Sequence, residues 1–533
     1  MSVMIERLIV NPKMEIACRY FIYFVLLLPL LIFRDYTPAN ELGYISIADE
    51  ALRNHTWFTF YTQGEIYADK PPLYLWLVML SKLTTGGYHM WIIGTFSLLP
   101  ALGILVIMDR WFRYSGIEHH PLSSNVLLMT TAFFVGPAIL IRMDMLMAFF
   151  IVLSLYTFYR IYSNRHTKAE PYLLPVYIFL AVFTKGPIGI LFPLASILGF
   201  LTIKKQLRTF GRYLGWRQWL IMLALFGAWF TAVYIEGGNE YLNNLLVKQT
   251  IGRGINTFHH KEPFWYYFPR MLMTFAPWSP LYLILLWLGI RKKLFTTDLH
   301  RFFAVTITVN LLLLSLISSK LDVYLLPLYP FIVYLCAAFL TQLKDEKSVK
   351  FGIGISVIIF ILLFPALILF GDQLAEHIKG LLPYIGIGIL SVTSLLALRL
   401  LLRCQVRKAI VYTGFGMLLM FFVVSFAIPQ VNHHIGFKEL AHKAKITAQK
   451  TSTEKFYYYN YQRIRNMDVY LGNGVEPVRS ISKLDSIDRA GQPAIVFIRE
   501  KDVRREQALR EWIDTQDGRQ AVGSYSWYVI GDN

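Results

Sequence analysis

The sequence predicts an all-α polytopic membrane protein of about 13 transmembrane helices, followed by a small α/β domain outside the bilayer. Three observations predict this. Of 533 residues, 55% are hydrophobic and only 16% charged, with a mean hydropathy of +0.46. Soluble chains of this length carry nearer a quarter charged residues and split into several domains. Apolar runs recur along the first four fifths of the chain, most of them long enough, at about 17 to 25 residues, to cross a bilayer. Finally, basic residues gather in every second loop between those runs, which is a signal of topology.

The candidate spans are 18–33, 90–108, 121–141, 145–160, 172–184, 186–203, 218–235, 270–290, 302–318, 323–341, 351–370, 381–399 and 409–428. Arg7, Lys13 and Arg19 precede the first apolar run, and Arg34-Asp35 rather than a small-residue cleavage site follows it. That run therefore reads as a retained span and not a signal peptide. With the N-terminus inside, the cytoplasmic loops carry Arg110/Arg113, Arg160/Arg165/Lys168, the basic group from Lys204 to Arg217, Arg291/Lys292/Lys293/Arg301, Lys344/Lys347/Lys350 and Arg399/Arg403/Arg407/Lys408. A miscounted span would break this alternation. An odd number of spans puts the C-terminus outside. Lys185-Gly186-Pro187 could be a kink in one long helix, but the combined length of 172–203 favours two.

The net charge of +18 does not indicate nucleic-acid binding. Residues 430–533 hold 16 Lys+Arg against 13 Asp+Glu, so most of the excess lies in the short membrane loops. Cys18, Cys336 and Cys404 are widely spaced in or beside apolar runs and form neither a disulfide framework nor a metal motif.

The first outer loop, 34–89, is long, acidic and aromatic. It carries Asp35, Glu41, Asp49, Glu50, Glu65 and Asp69 between two spans. Tyr44, Ile47, Ala48, Ala51 and Leu52 fall at helical spacing, with Ser46, Asp49, Glu50 and Arg53 opposite, as in a helix lying in the membrane interface. A second helix begins at Pro71, where a missing N–H costs nothing, and its start presents Asp69 and Lys70 at the membrane surface. A bland reading is a solvated loop with two anchoring helices. Ionisable groups beside a bilayer favour a functional one.

Three short outer turns each carry a cation on a face where positive charge is scarce: Arg142, Lys185 and Lys320. Asp144 accompanies the first and Asp322 the last. One such cation could simply snorkel to the interface. Three together suggest a phosphate site, with Lys as a point charge and Arg as a bidentate donor. The long outer loop 236–269 holds Arg253 in a Gly-flanked stretch, a candidate mobile anion-binding residue, and the adjacent His259-His260, a weak metal motif. Trp265, Tyr266, Tyr267 and Trp278 read best as an interfacial aromatic belt.

From Pro429 the composition changes. A helix is expected over Gly436–Thr451 and β-like runs at Phe456–Asn460, Val469–Leu471, Pro477–Ile481 and Ala494–Arg499. A polar helix over Arg505–Gln516 and a last strand over Ala521–Ile530 complete a small α/β domain, so the division is 1–428 and 429–533. No nucleotide-binding glycine motif is present, and no nucleotide cofactor is expected.

The blocks P-A-N-E-L-G-Y, Y-A-D-K-P-P-L-Y-L-W, R-M-D, F-T-K-G-P-I-G, F-A-P-W-S-P and S-S-K-L-D-V-Y-L-L-P-L-Y-P resemble those of the lipid-phosphosugar glycosyltransferases with the C-type fold. The nearest subgroup is the bacterial aminoarabinose lipid A transferases and their protein mannosyltransferase relatives. The resemblance implies a donor sugar on a polyprenyl phosphate, undecaprenyl phosphate in bacteria, and a glycolipid or protein hydroxyl acceptor outside the inner membrane. It implies a general base near the acceptor oxygen and cations on the phosphate leaving group. The family's Asp-Glu-x-Arg-Tyr aligns with Asn40-Glu41-Leu42-Gly43-Tyr44, so the usual catalytic Asp falls on Asn40 and the usual Arg on Gly43. Since Asn is no base, Glu41 is the expected source of the carboxylate. By the same resemblance Asp144 occupies the second acidic position and Lys70 and Lys185 face the donor phosphate. Arg142, Lys320 and Arg253 are further phosphate candidates. Tyr44, Tyr67 and Tyr324 are expected to line the donor and acceptor cleft. A divalent cation is conceivable where Asp69 and Glu41 converge with Asp144, because hard cations take oxygen ligands.

Two rival readings remain at this stage. A lipid-linked sugar flippase should show polar residues and broken helices near mid-bilayer, often in repeated halves; the charges here lie at span ends on one face. A homologue that has lost catalysis is suggested by Asn40 and Gly43.

Overall fold

The computed structural model describes residues 12–247, 262–318, 320–374, 380–516 and 519–531. The first span is helix α1 (Pro12–Ile32). The outer loop then forms α2 (Glu41–Arg53), a hairpin of β1 (Tyr61–Thr62) and β2 (Glu65–Ile66), and α3 (Pro72–Thr85). The membrane portion continues with α4 (Met90–Ser115), the broken pair α5 (Pro121–Met129) and α6 (Ala132–Ala138), α7 (Met143–Tyr162), α8 (Glu170–Lys185), α9 (Ile188–Ile203) and α10 (Trp216–Asn243). After it come α11 (Tyr267–Thr274), α12 (Ser279–Arg291), α13 (Asp298–Leu316), a 3-10 turn (Asp322–Leu328), α14 (Tyr329–Leu343), α15 (Lys347–Leu374), α16 (Leu382–Leu402) and α17 (Val406–Ser425).

Among the described residues, nine helices are long and apolar enough to cross a membrane, or ten if the bent pair α11/α12 is one span. The other predicted spans lie on shorter helices: the broken pair α5/α6, and α8 and α9 with 16 residues each. Lys185-Gly186-Pro187 is a turn between two helices. Helix α14 is apolar on all sides and buried along almost its whole length, so it forms the centre of the bundle. Helices α10 and α15 bury few residues and form the periphery.

The C-terminal portion contains α18 (Lys438–Lys450), β3 (Phe456–Tyr459), α19 (Asp468–Leu471), β4 (Val475–Val478), α20 (Ile481–Asp488), β5 (Ala494–Arg499), α21 (Glu500–Arg505), α22 (Gln507–Asp514), β6 (Gln520–Val522) and β7 (Tyr525–Ile530). The sheet order is β4-β3-β5-β7-β6. Strand β3 is parallel to β4 and β5, whereas β5–β7 and β6–β7 are antiparallel. Alternate residues serve opposite faces. Phe456, Phe497 and Trp527 belong to the core that includes Leu440 and Ala444 of α18, while Tyr459, Val496 and Tyr528 pack with Leu484, Leu509 and Trp512.

Two details depart from the sequence expectations. Val469–Leu471 is a helical turn and not a strand: the Asp468 carboxylate accepts from the Val469 N–H at 2.8 Å, and Gly472 at φ 84° ends the turn. The predicted strand Ala521–Ile530 is a hairpin of β6 and β7.

The C-terminal domain sits on the first outer loop. Ser46 donates to Asp468 at 2.9 Å, the Asn466 amide to the Pro38 carbonyl at 2.8 Å, and Tyr470 to Asp35 at 3.1 Å. This changes the expected reading of α2. Half of its polar side does not face water: Ser46 and Glu50 are buried, and Glu50 accepts from the backbone N–H groups of Gln63 and Gly64 at the hairpin turn, while Arg53 stays exposed.

Candidate active site

The centre of the candidate site is Asp144, in the first turn of α7 and 1% exposed. Arg142 Nε donates to its Oδ2 at 3.0 Å, and Lys185 Nζ donates to its Oδ1. The Lys185 ammonium also stands 4.9 Å from the centre of the Tyr324 ring. A buried carboxylate is thus bracketed by two cations, which together leave a net positive charge.

The chain reaches this arrangement through local geometry. Lys185 is the last residue of α8. Gly186 follows with φ 104°, a conformation that side chains disfavour. At Gly189 any Cβ would overlap the backbone of Ala181 and Val182. The two glycines therefore let α9 fold back closely on α8 and hold Lys185 at the turn. Tyr324 comes from the 3-10 turn that leads into α14. Arg142 is fixed from below by Ser97 of α4, whose hydroxyl bonds to both its N–H and its carbonyl at 3.3 and 3.2 Å.

The first outer loop supplies the other wall. Burial raises the pKa of the Tyr44 phenol; Asp144 and Asp69 add to the effect and Arg142 opposes it, so the four groups share one electrostatic environment. Tyr44 meets Tyr74 of α3 edge to face. Asp69 and Lys70 are half-buried just before α3. Tyr241 of α10 ties this strand in place by accepting from the Phe60 N–H at 3.0 Å and donating to the Tyr67 carbonyl at 2.9 Å.

Several predicted site residues do something else. Glu41 is 1% exposed, and its two oxygens accept from both Arg34 Nη atoms at 2.6 Å and from the N–H groups of Thr37 and Ile141 at 2.8 Å each. A carboxylate saturated by four donors is a structural clasp and not an available base or metal ligand. Asn40 is exposed at the N-cap of α2 and makes no side-chain cap bond. Lys320 is buried, and its ammonium donates to the carbonyls of Glu262 and Ile317 at 2.9 and 2.7 Å, which makes it a staple between two loops and not a phosphate ligand in this arrangement. Arg253 lies outside the described residues, as do His259 and His260. Among the described residues no group of three or more His, Cys, Asp or Glu side chains is placed to hold a metal ion. Asp69 with Glu41 does not fit one either, since Glu41 is fully engaged.

Sequence reasoning missed Arg34, Ser97 and Tyr241. Arg34 carried a signal, being one more cation at an outer span end. Ser97 lies inside an apolar helix and Tyr241 in a stretch read as loop, and neither carried one.

No family model matches the sequence. An uncharacterized protein from Aquifex aeolicus is 28% identical over 339 residues, which is 62% of this chain and 65% of that protein. The undecaprenyl phosphate-alpha-4-amino-4-deoxy-L-arabinose arabinosyl transferase of Wigglesworthia glossinidia brevipalpis is 25% identical over 385 residues, 68% of this chain and 66% of the transferase. The aligned part thus spans just under two thirds of these relatives' own length. The crystal structure of ArnT from Cupriavidus metallidurans bound to undecaprenyl phosphate superimposes with a TM-score of 0.75 at 17% identity, covering 97% of this chain and 98% of ArnT. The fold is that of ArnT. It is the C-type glycosyltransferase fold, with a multi-span helical portion and a small C-terminal sheet. The near-complete overlap with ArnT includes the C-terminal domain, where the resemblance in sequence is unspecific.

Proposed function

We propose that this chain is a membrane glycosyltransferase that moves a sugar from a polyprenyl-phosphate donor to an acceptor, a lipid A-like glycolipid, on the outer face of the bacterial inner membrane. The bracketing of buried Asp144 by Arg142 and Lys185 is the observation that carries this reading. A phosphodiester-linked sugar brings one negative charge, which matches the net charge of that trio. As the sugar–oxygen bond breaks, the departing polyprenyl phosphate gains a second charge, and preorganised cations stabilise it most at that moment. Lys70 adds a third cation from the loop side.

The acceptor hydroxyl attacks the anomeric carbon, the electron pair of the broken bond leaves with the phosphate, and the hydroxyl proton passes to a carboxylate. A single displacement of this kind inverts the anomeric centre. Asp69 is the group assigned as that base. It is half-buried rather than sealed, and it shares the environment of Tyr44. Asp144 holds the two cations in position. Asn40 and Gly43 then do not preclude activity, because neither the base nor the phosphate site depends on them. A metal ion is not invoked at any step. The N-terminus lies in the cytoplasm and the C-terminal domain on the outer side, as the basic loops indicate.

Mass spectrometry of lipid A from matched cells with and without the gene tests the reading. Loss of one sugar-sized increment on deletion is expected. An unchanged lipid A profile would rule out this acceptor and move the search to protein hydroxyls and other surface glycans.

A further inference from the structure

A cavity lies beside the domain junction, about 570 Å³ in volume. Its walls include Asp35 and Asn432, which follow the outer ends of the first and last spans, and Lys438, His442 and Lys445 of α18. The three basic residues recur at i, i+4 and i+7, so one face of α18 presents them together. The cavity therefore opens at the level where the spans meet water.

The acidic groups at this cavity are already engaged. Asp35 Oδ1 accepts from the Tyr36 N–H at 2.7 Å and from Tyr470 at 3.1 Å, and Asp35 Oδ2 accepts from the Lys438 N–H at 2.9 Å. Glu439 is paired with Lys443 at 2.8 Å. Among the described residues neither Lys438 nor Lys445 has a carboxylate within ion-pair distance. Lys445 makes one long contact, 3.4 Å, with the Tyr470 carbonyl. Two exposed ammonium groups and an imidazole thus face a pocket at the membrane interface, where the nearby carboxylates, Asp35 and Glu439, are held by other donors and neither lies within ion-pair distance of Lys438 or Lys445.

We infer that this cavity binds the phosphate of an anionic membrane lipid headgroup. The lipid source is favoured over free phosphate because two of the walls, Asp35 and Asn432, follow span ends, which places the cations of α18 near headgroup height, where anionic lipids attract lysines. The site is distinct from the candidate active site but adjoins it through consecutive residues: Arg34 engages Glu41 and the Ile139 carbonyl, while Asp35 lines the cavity. A phosphorylated glycolipid held here would lie next to the loop that carries the transfer chemistry. That last step, but not lipid binding itself, rests on the function proposed above.

The test uses the full-length protein in phosphatidylcholine nanodiscs with and without about 10% phosphatidic acid. Native mass spectrometry reads the lipid retained by wild type, K438A/K445A, and a control K450A/K483A carrying the same charge loss at exposed positions of the C-terminal domain away from the cavity. Wild type and control should retain phosphatidic acid at least about fivefold better than K438A/K445A, and millimolar inorganic phosphate should not displace it. Equal retention by all three proteins would overturn the site, and displacement by inorganic phosphate would overturn the lipid assignment. Sugar transfer is measured separately on the same preparations. Selective lipid retention without any transfer leaves this site standing while removing the proposed function.

Discussion

Arg34 and Glu41 face each other across seven residues of chain and form two parallel bonds of 2.6 Å, with Glu41 sealed from solvent. This pair closes the first outer loop against residues 139–141, because Arg34 also donates to the Ile139 carbonyl and Glu41 accepts from the Ile141 N–H. It therefore sets the position of the turn that carries Arg142. Removing one member of a buried bidentate pair leaves the other charge uncompensated, at a cost of about 3 to 5 kcal/mol. E41Q should lower the melting temperature of the detergent-purified protein, and transfer should fall only in parallel with the folded fraction. A fully stable but inactive E41Q would restore Glu41 as a catalytic group.

Asp69 should behave in the opposite way. D69N removes the assigned base from a half-buried loop position, so kcat should drop at least about 100-fold, in line with the usual contribution of general base catalysis. The melting temperature should change little. Unchanged kcat in D69N would refute the assignment.

The contact between the C-terminal domain and the loop should depend on pH. Burial raises the Asp468 pKa to about 6, despite the hydrogen bond from Ser46. A carboxylate whose folded pKa exceeds its unfolded value stabilises the fold below the unfolded value, and that stability is lost as pH rises through the folded one. The protein should therefore be more stable at pH 5 than at pH 7.5, by about 1.4 kcal/mol from this group, with the rest of its effect lying below pH 5. Melting curves of wild type and D468N across this range test it: D468N should lack this component of the pH dependence. Identical slopes for the two proteins would contradict it.

Gly436 is a steric requirement. A Cβ at that position would overlap the Asp35 carboxylate and crowd the Tyr36 carbonyl. G436A should destabilise the junction by roughly 1 to 3 kcal/mol, seen as easier proteolysis between span and domain in limited digestion. Wild-type resistance would show that the junction is looser than described.

Much of this architecture was legible in the sequence because hydropathy and basic loops report directly on membrane crossing. Asp144, Arg142 and Lys185 were legible for a related reason: charge at an outer span end is scarce and conspicuous. Glu41 was misjudged because its surroundings come from Arg34 and from a turn 100 residues away, which spacing alone does not reveal. Lys320 looked like Lys185 in sequence, and only the fold separates a lysine bonded to carbonyls from one bonded to a carboxylate. The polar side of α2 looked solvated because nothing in its own pattern announces the domain that covers it.

In the proposed reaction Arg142 and Lys185 hold the phosphate of the donor lipid. The most direct measurement is retention of undecaprenyl phosphate by purified wild type, R142A and K185A in lipid nanodiscs, read by native mass spectrometry. Both variants should retain it at least about tenfold less than wild type while keeping a folded C-terminal domain. Retention equal to wild type in both folded variants would contradict the account.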